Sequence, residues 1–115
     1  MGAGLRDIAP KEVYSALIDA AAGTGDVVVV AATSGKKIVV INFLYTSSAA
    51  QTTTFQSDNT SSQTDLTGDM LVFANGWVKG HYNPDGHFKT IAGERLLIER
   101  GGSTALGGWL NYYLE

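Results

Sequence analysis

Apolar and polar positions alternate with a period of two along most of this chain, which is the mark of β-strands. Residues 27–32 form a β-branched run, and residues 37–46 form a second after the turn cluster Thr33-Ser34-Gly35-Lys36. Residues 51–57 read as a Thr-rich strand with Phe55 at its centre. Residues 58–68 hold no hydrophobe except Leu66 and read as a loop. Residues 69–74, Asn75-Gly76 and residues 77–82 read as a hairpin, because Asn and Gly both tolerate the positive φ of a type I′ turn. Asn83-Pro84-Asp85-Gly86 is a further turn, with proline fixing φ and glycine closing it. Residues 88–90, 94–100 and 105–114 bring the total to about eight or nine short strands. Strands at roughly ten-residue spacing, separated by turn signals, predict an all-β sandwich or barrel.

Two stretches stand apart. Residues 1–10 are Gly/Ala-rich, end in Ala9-Pro10, and read as an arm. In residues 11–22, Val13, Ala16, Leu17 and Ala20 have helical spacing, while Tyr14, Ala16, Ile18 and Ala20 alternate as in a strand. Periodicity alone leaves both readings open there.

The strand faces carry more information than the strands themselves. In residues 105–114, Leu106, Leu110, Tyr112 and Leu114 share one face, while Trp109, Asn111, Tyr113 and Glu115 share the other. In residues 37–46 both faces are apolar, with Ile38, Val40 and Leu44 opposed to Val39, Ile41, Phe43 and Tyr45. A two-layer sandwich buries one face of each sheet, so something must cover the second. The expectation is another copy of the chain. The competing cover is residues 11–22 together with the long loop.

Composition narrows the function classes. The 115 residues and 12.1 kDa suit one domain. Eight Lys and Arg against eleven Asp and Glu leave a net charge of −3, which offers no basic field for a nucleic-acid backbone. The absence of Cys removes disulfides, thiolate nucleophiles and the usual structural zinc. No apolar run approaches the ~18 residues of a membrane span, and residues 1–7 lack the basic-then-apolar order of a signal peptide. The expected setting is therefore cytosolic synthesis with no membrane partner. Charged residues are only 17% of the chain, so its polar surface is built largely from hydroxyls and amides.

Catalytic signatures are sparse. His81, Asp85 and His87 could meet across their turn as a zinc or nickel set, yet that turn already needs its Pro, Asp and Gly for conformation. No G-x-S-x-G elbow occurs. Ser34-Gly35-Lys36-Lys37 lacks the upstream glycine and following hydroxyl of a phosphate loop. Asp58, Asp65 and Asp69 miss calcium-loop spacing. The conspicuous residues are Trp77, Tyr82, Phe88, Trp109 and Tyr113, aromatics of the kind found in protein interfaces or sugar-stacking platforms.

Taken in order, a series of short motifs is familiar: Ile18-Asp19-Ala20-Ala21-Ala22-Gly23, Ser34-Gly35-Lys36-Lys37-Ile38-Val39-Val40 and Thr52-Thr53-Thr54-Phe55-Gln56-Ser57. Leu66-Thr67-Gly68, Ala74-Asn75-Gly76 and Tyr82-Asn83-Pro84-Asp85-Gly86 follow. Ala92-Gly93-Glu94 and Gly107-Gly108-Trp109-Leu110-Asn111-Tyr112 complete it. The series resembles small jelly-roll virion proteins of tailed bacteriophages, of the head decoration or cement type, over about residues 12–115. The resemblance implies an all-β jelly-roll sandwich over residues 12–115 behind an arm of residues 1–11, with residues 11–22 supplying the first strand. It implies no cofactor and no catalytic residues. Such sequences tend to carry a Trp and an acidic residue flanking the Phe after the Pro-x-Gly turn, where this chain has His87 and Lys89. A contact at His81 and His87 would accordingly be polar and pH-sensitive.

The expected function is a decoration protein on the capsid exterior, made in the host cytoplasm. It would clamp neighbouring subunits of the major capsid protein as a homo-oligomer, with a trimer as the expected order, and gain firmness from multivalency. Leu5 and Ile8 of the arm are the expected shell anchors. Trp77, Trp109 and Tyr113, supported by Phe43 and Tyr45, are the expected contacts between copies. So few charges should make the clamp insensitive to salt. The rival expectations are a tail or fibre module that reads host glycans with the same aromatics, and an enzyme that uses His81 and His87.

Overall fold

The computed structural model describes residues 11–115, so Leu5 and Ile8 lie outside the described residues. Those residues form ten strands and no helix. β1 (Tyr14–Ala20), β10 (Leu106–Leu114), β3 (Ile38–Ser47) and β7 (Trp77–Gly80) lie side by side in a first antiparallel sheet, with β8 (Phe88–Lys89) also on β3. β2 (Asp26–Val30), β9 (Arg95–Arg100), β4 (Gln51–Asp58) and β5 (Gln63–Asp65) form the second, with β6 (Met70–Val72) also on β4. Within residues 11–22, Tyr14–Ala20 is thus a strand, the reading that alternation allowed and the resemblance favoured.

One core joins the two sheets into a sandwich-like pair. Ile18, Ile38, Val40, Phe43, Tyr45, Leu106 and Leu110 of the first sheet meet Val30, Phe55, Val72, Leu96 and Ile98 of the second. Its centre is aromatic. Phe55 lies 4.7 Å from Phe88, 5.3 Å from Phe43 and 5.8 Å from Tyr45 between ring centroids. The Tyr45 hydroxyl is buried with its ring and is satisfied by the Thr53 hydroxyl across the core at 2.8 Å. Close packing reaches the backbone at Gly108, where an added Cβ would stand 2.0 Å from the Leu44 carbonyl oxygen.

Three expectations need correction. Residues 58–68 are not all loop, because β5 pairs back onto β4 with Asp58 opposite Gln63. Asn75-Gly76 does not close a hairpin, because β6 pairs with β4 in one sheet and β7 with β3 in the other. The turn there carries the chain between layers. Its Gly76 N–H donates to the Phe73 carbonyl, and Asn75 alone takes positive φ among its non-glycine residues, which fits a type II geometry.

The third correction concerns β3. Asn111 pairs with Asn42 but Tyr112 pairs with Val40, so Ile41 is an extra residue, a β-bulge. The bulge switches the core face from Ile38 and Val40 to Phe43, Tyr45 and Ser47. Phe43 and Tyr45 therefore lie in the chain's own core, not on a surface open to another copy. Much of the double-sided character of β3 is this change of parity.

Candidate functional site

With the core faces known, the outer face of the first sheet can be read row by row. Leu17 of β1 pairs with Trp109 of β10, and Trp109 pairs with Leu44 of β3. Leu44 in turn stands opposite Lys79 of β7, two residues from Trp77. An apolar row therefore crosses the sheet: Leu17, Trp109, Leu44, then Trp77 on the diagonal. Leu17 is 75% exposed, Trp77 64% and Trp109 38%. Cross-strand neighbours on one face lie about 4.5–5.5 Å apart, so these side chains form a continuous surface, not scattered points.

The flanking rows differ. On one side Asp19, Gly107 and Thr46 lead across to Trp77, and with no side chain at Gly107 the surface is open there. Leu44, Thr46, Trp77 and Lys79 line a shallow dent of about 260 Å³. On the other side Ser15, Asn111 and Asn42 form a polar row, in which the Ser15 hydroxyl donates to Asn111 Oδ1 at 2.5 Å.

Beyond that polar row lies a second small cluster, of Val39, Ile41 and Tyr113, and the chain covers it itself. The Lys11 ammonium sits 4.1 Å from the centroid of the Tyr113 ring, a cation–π contact. The 81–87 loop is held down by Asn83 N–H donating to Ile41 O and His87 N–H donating to Val40 O, both at 2.8 Å. Gly86 then lies against Val39 so closely that a Cβ would reach 2.4 Å from its Cγ1. Tyr113 is thus a buried residue under local cover, which corrects its expected place between copies.

The histidines sit on this same loop. The Asn83-Pro84-Asp85-Gly86 turn forms as the sequence indicates, with Gly86 N–H donating to Asn83 O at 2.9 Å and Asp85 N–H to Asn83 Oδ1 at 3.0 Å. His87 Nε2 bonds the His81 carbonyl oxygen, and its ring meets Phe43 edge-on at 5.6 Å. Both histidines are exposed. Among the described residues no three His, Cys, Asp or Glu side chains gather as a metal set.

Ionisable groups elsewhere act as fasteners. Asp58 is buried and pairs with Arg95 at 2.5 Å while also accepting from Thr60 N–H. Glu115 pairs with Lys89 at 3.0 Å, and the hydrogen bond from that ammonium holds its carboxyl below the ordinary range. Burial raises the Tyr45 phenol, with the Thr53 bond acting weakly against it. A hydrogen bond with Glu12, more than burial, raises that of Tyr14.

Sequence reading found Trp77 and Trp109 but missed Leu17 and Leu44. Leu17 was legible once β1 is taken as a strand, because it is the one apolar residue on the Ser15, Leu17, Asp19 face. Leu44 was hidden by the bulge, which places it outward although it shares parity with the core residues Ile38 and Val40. No family model, curated protein or solved structure matches the chain, so the site stands on its own geometry.

Proposed function

We propose that this chain is a structural virion protein of a tailed phage, a homo-oligomeric jelly-roll decoration protein that clamps neighbouring capsid subunits. The observation that carries the reading is the apolar row of exposed Leu17, Trp109 and Trp77 with half-buried Leu44, on a face otherwise made of Ser15, Asp19, Asn42, Thr46, Lys79 and Asn111. Large apolar side chains in one contiguous row mark a surface meant for a partner. A charge-poor chain has little else to hold that partner with.

The jelly-roll part is supported by strand order. Taking β5 with β6 and β7 with β8 as two interrupted strands leaves eight, in orders 1-8-3-6 and 2-7-4-5. That order fits two antiparallel sheets wound from one long folded-over ribbon. Fold alone does not select a function, so the capsid assignment rests on the apolar row together with the sequence resemblance. Co-sedimentation with empty phage heads tests it. Saturable binding that weakens on Trp77→Ala is the expected result, and no binding at any protein concentration would reject it.

A second reading draws on the dent lined by Leu44, Thr46, Trp77 and Lys79. An indole wall beside a hydroxyl and an ammonium is chemistry that stacks on and hydrogen-bonds a sugar ring. Glycan-array binding lost in Trp77→Ala, with capsid binding absent, would favour that reading.

A further inference from the structure

The two sheets have four edges, and three are blunted in the ways that natural sheets use to prevent pairing with other chains. On the second sheet, the edge formed by β5 and β6 is broken into strands of three residues each. The opposite edge, β2, is interrupted by an irregularity between Val28 and Val30. On the first sheet, the edge formed by β7 and β8 is split by the 81–87 loop and carries Lys79 and Lys89. The fourth edge, β1, is neither short nor broken and carries no lysine, Asp19 being its one charged residue. It runs seven residues in unbroken register along β10 and contains no Pro, Gly or Lys. At its midpoint stands Leu17, the most exposed of the large hydrophobic side chains among the described residues.

We propose that β1 pairs antiparallel with β1 of a second copy across a twofold axis at Leu17, joining two first sheets into one continuous sheet. The sequence of the strand is what selects a second copy over an unrelated strand. About that axis Ser15 faces Asp19, so each carboxylate meets a small uncharged side chain and the two Asp19 side chains stay apart. Ala16 faces Ile18 and Tyr14 faces Ala20, so each large side chain has a small one opposite. The central pair, Leu17 with Leu17, extends the apolar row from Trp109 of one copy through to Trp109 of the other. An isologous contact must be self-complementary in this way. The inference deepens the homo-oligomer reading above and rests on it. It also gives the assembly an even-numbered symmetry, where a trimer would need a different contact.

The test is the solution mass of the full chain with three single-cysteine variants, clean probes because the chain has no cysteine of its own. Directly opposed residues in an antiparallel pair have Cα atoms about 4.5–5.5 Å apart, within disulfide reach. Leu17→Cys should therefore cross-link into a dimer on mild oxidation. Ser15→Cys and Asp19→Cys place like positions roughly 14 Å apart and should not. Leu17→Lys, at an exposed position that leaves the fold intact by circular dichroism, should reduce the mass at least twofold. An oligomer that survives Leu17→Lys, or one in which Ser15→Cys cross-links as readily as Leu17→Cys, overturns the β1 contact alone. A wild-type chain that is monomeric at high concentration overturns the homo-oligomer reading with it.

Discussion

Gly107 and Gly108 are neighbours in one strand and face opposite ways, and their different surroundings separate surface from core at single-residue resolution. A Cβ at Gly108 would meet the Leu44 carbonyl at 2.0 Å and the Tyr45 Cα at 2.6 Å, whereas a Cβ at Gly107 meets nothing within 4 Å. Backbone atoms cannot swing aside as a side chain can, so Gly108→Ala should cost about 1–3 kcal/mol. Gly107→Ala should stay within about 0.5 kcal/mol, as a surface change does. Urea denaturation of the two variants side by side measures the difference. At Tyr45 the relevant variable is pH. Its phenol is raised by burial, so the folded state holds the proton after the unfolded chain has released it. The stability so conferred is complete below the ordinary phenol value of about 10 and is lost as pH rises from there through the folded value. Tyr45→Phe should flatten that alkaline limb while costing about 1 kcal/mol at neutral pH for the lost bond to Thr53. Unfolding midpoints followed from neutral to strongly alkaline pH would show both effects.

Among the elements, β4 is pinned at its far end by the ion pair of Asp58 with Arg95 and by Ser57 Oγ donating to Glu94 Oε1 at 2.8 Å. Asp58 is buried but the Arg95 side chain is about a third exposed, so solvent recovers part of what truncation would strand. Asp58→Ala should then cost about 1–2 kcal/mol, with amide exchange fastest in β5, whose register starts at Asp58. The elements also show what a linear reading can and cannot reach. Strands β3, β4, β9 and β10 lie within a residue or two of their sequence bounds, because period-two alternation and β-branched residues are local signals. The pairing of β6 and β7 is not local. Asn75-Gly76 carries the same conformational preferences whether the strands beside it pair together or part into different sheets. The Ile41 bulge is silent for a similar reason. One extra residue reverses every later face of β3, and only its partner β10 reveals the slip. That single residue moved Phe43 and Tyr45 from an expected interface into the core and moved Leu44 out to the surface.

At the scale of the whole molecule, the apolar excess divides in two. Part of it is covered by the chain, as Lys11 and the 81–87 loop cover Val39, Ile41 and Tyr113. The remainder has no cover among the described residues: the row of Leu17, Trp109 and Trp77 with half-buried Leu44, and, outside that row, Val13, Val28, Leu71, Phe73, Tyr82 and Ile91. A face of this composition binds by desolvation, and ions screen desolvation little. The direct test of the proposed function is therefore co-sedimentation of the purified chain with empty, expanded heads of tailed phages, at about 0.05 M and 1 M salt. The account predicts saturable binding in whole-number proportion to capsid subunits, with affinity changed less than about threefold between the two salts. Absence of binding, or binding that disappears at high salt, would contradict it.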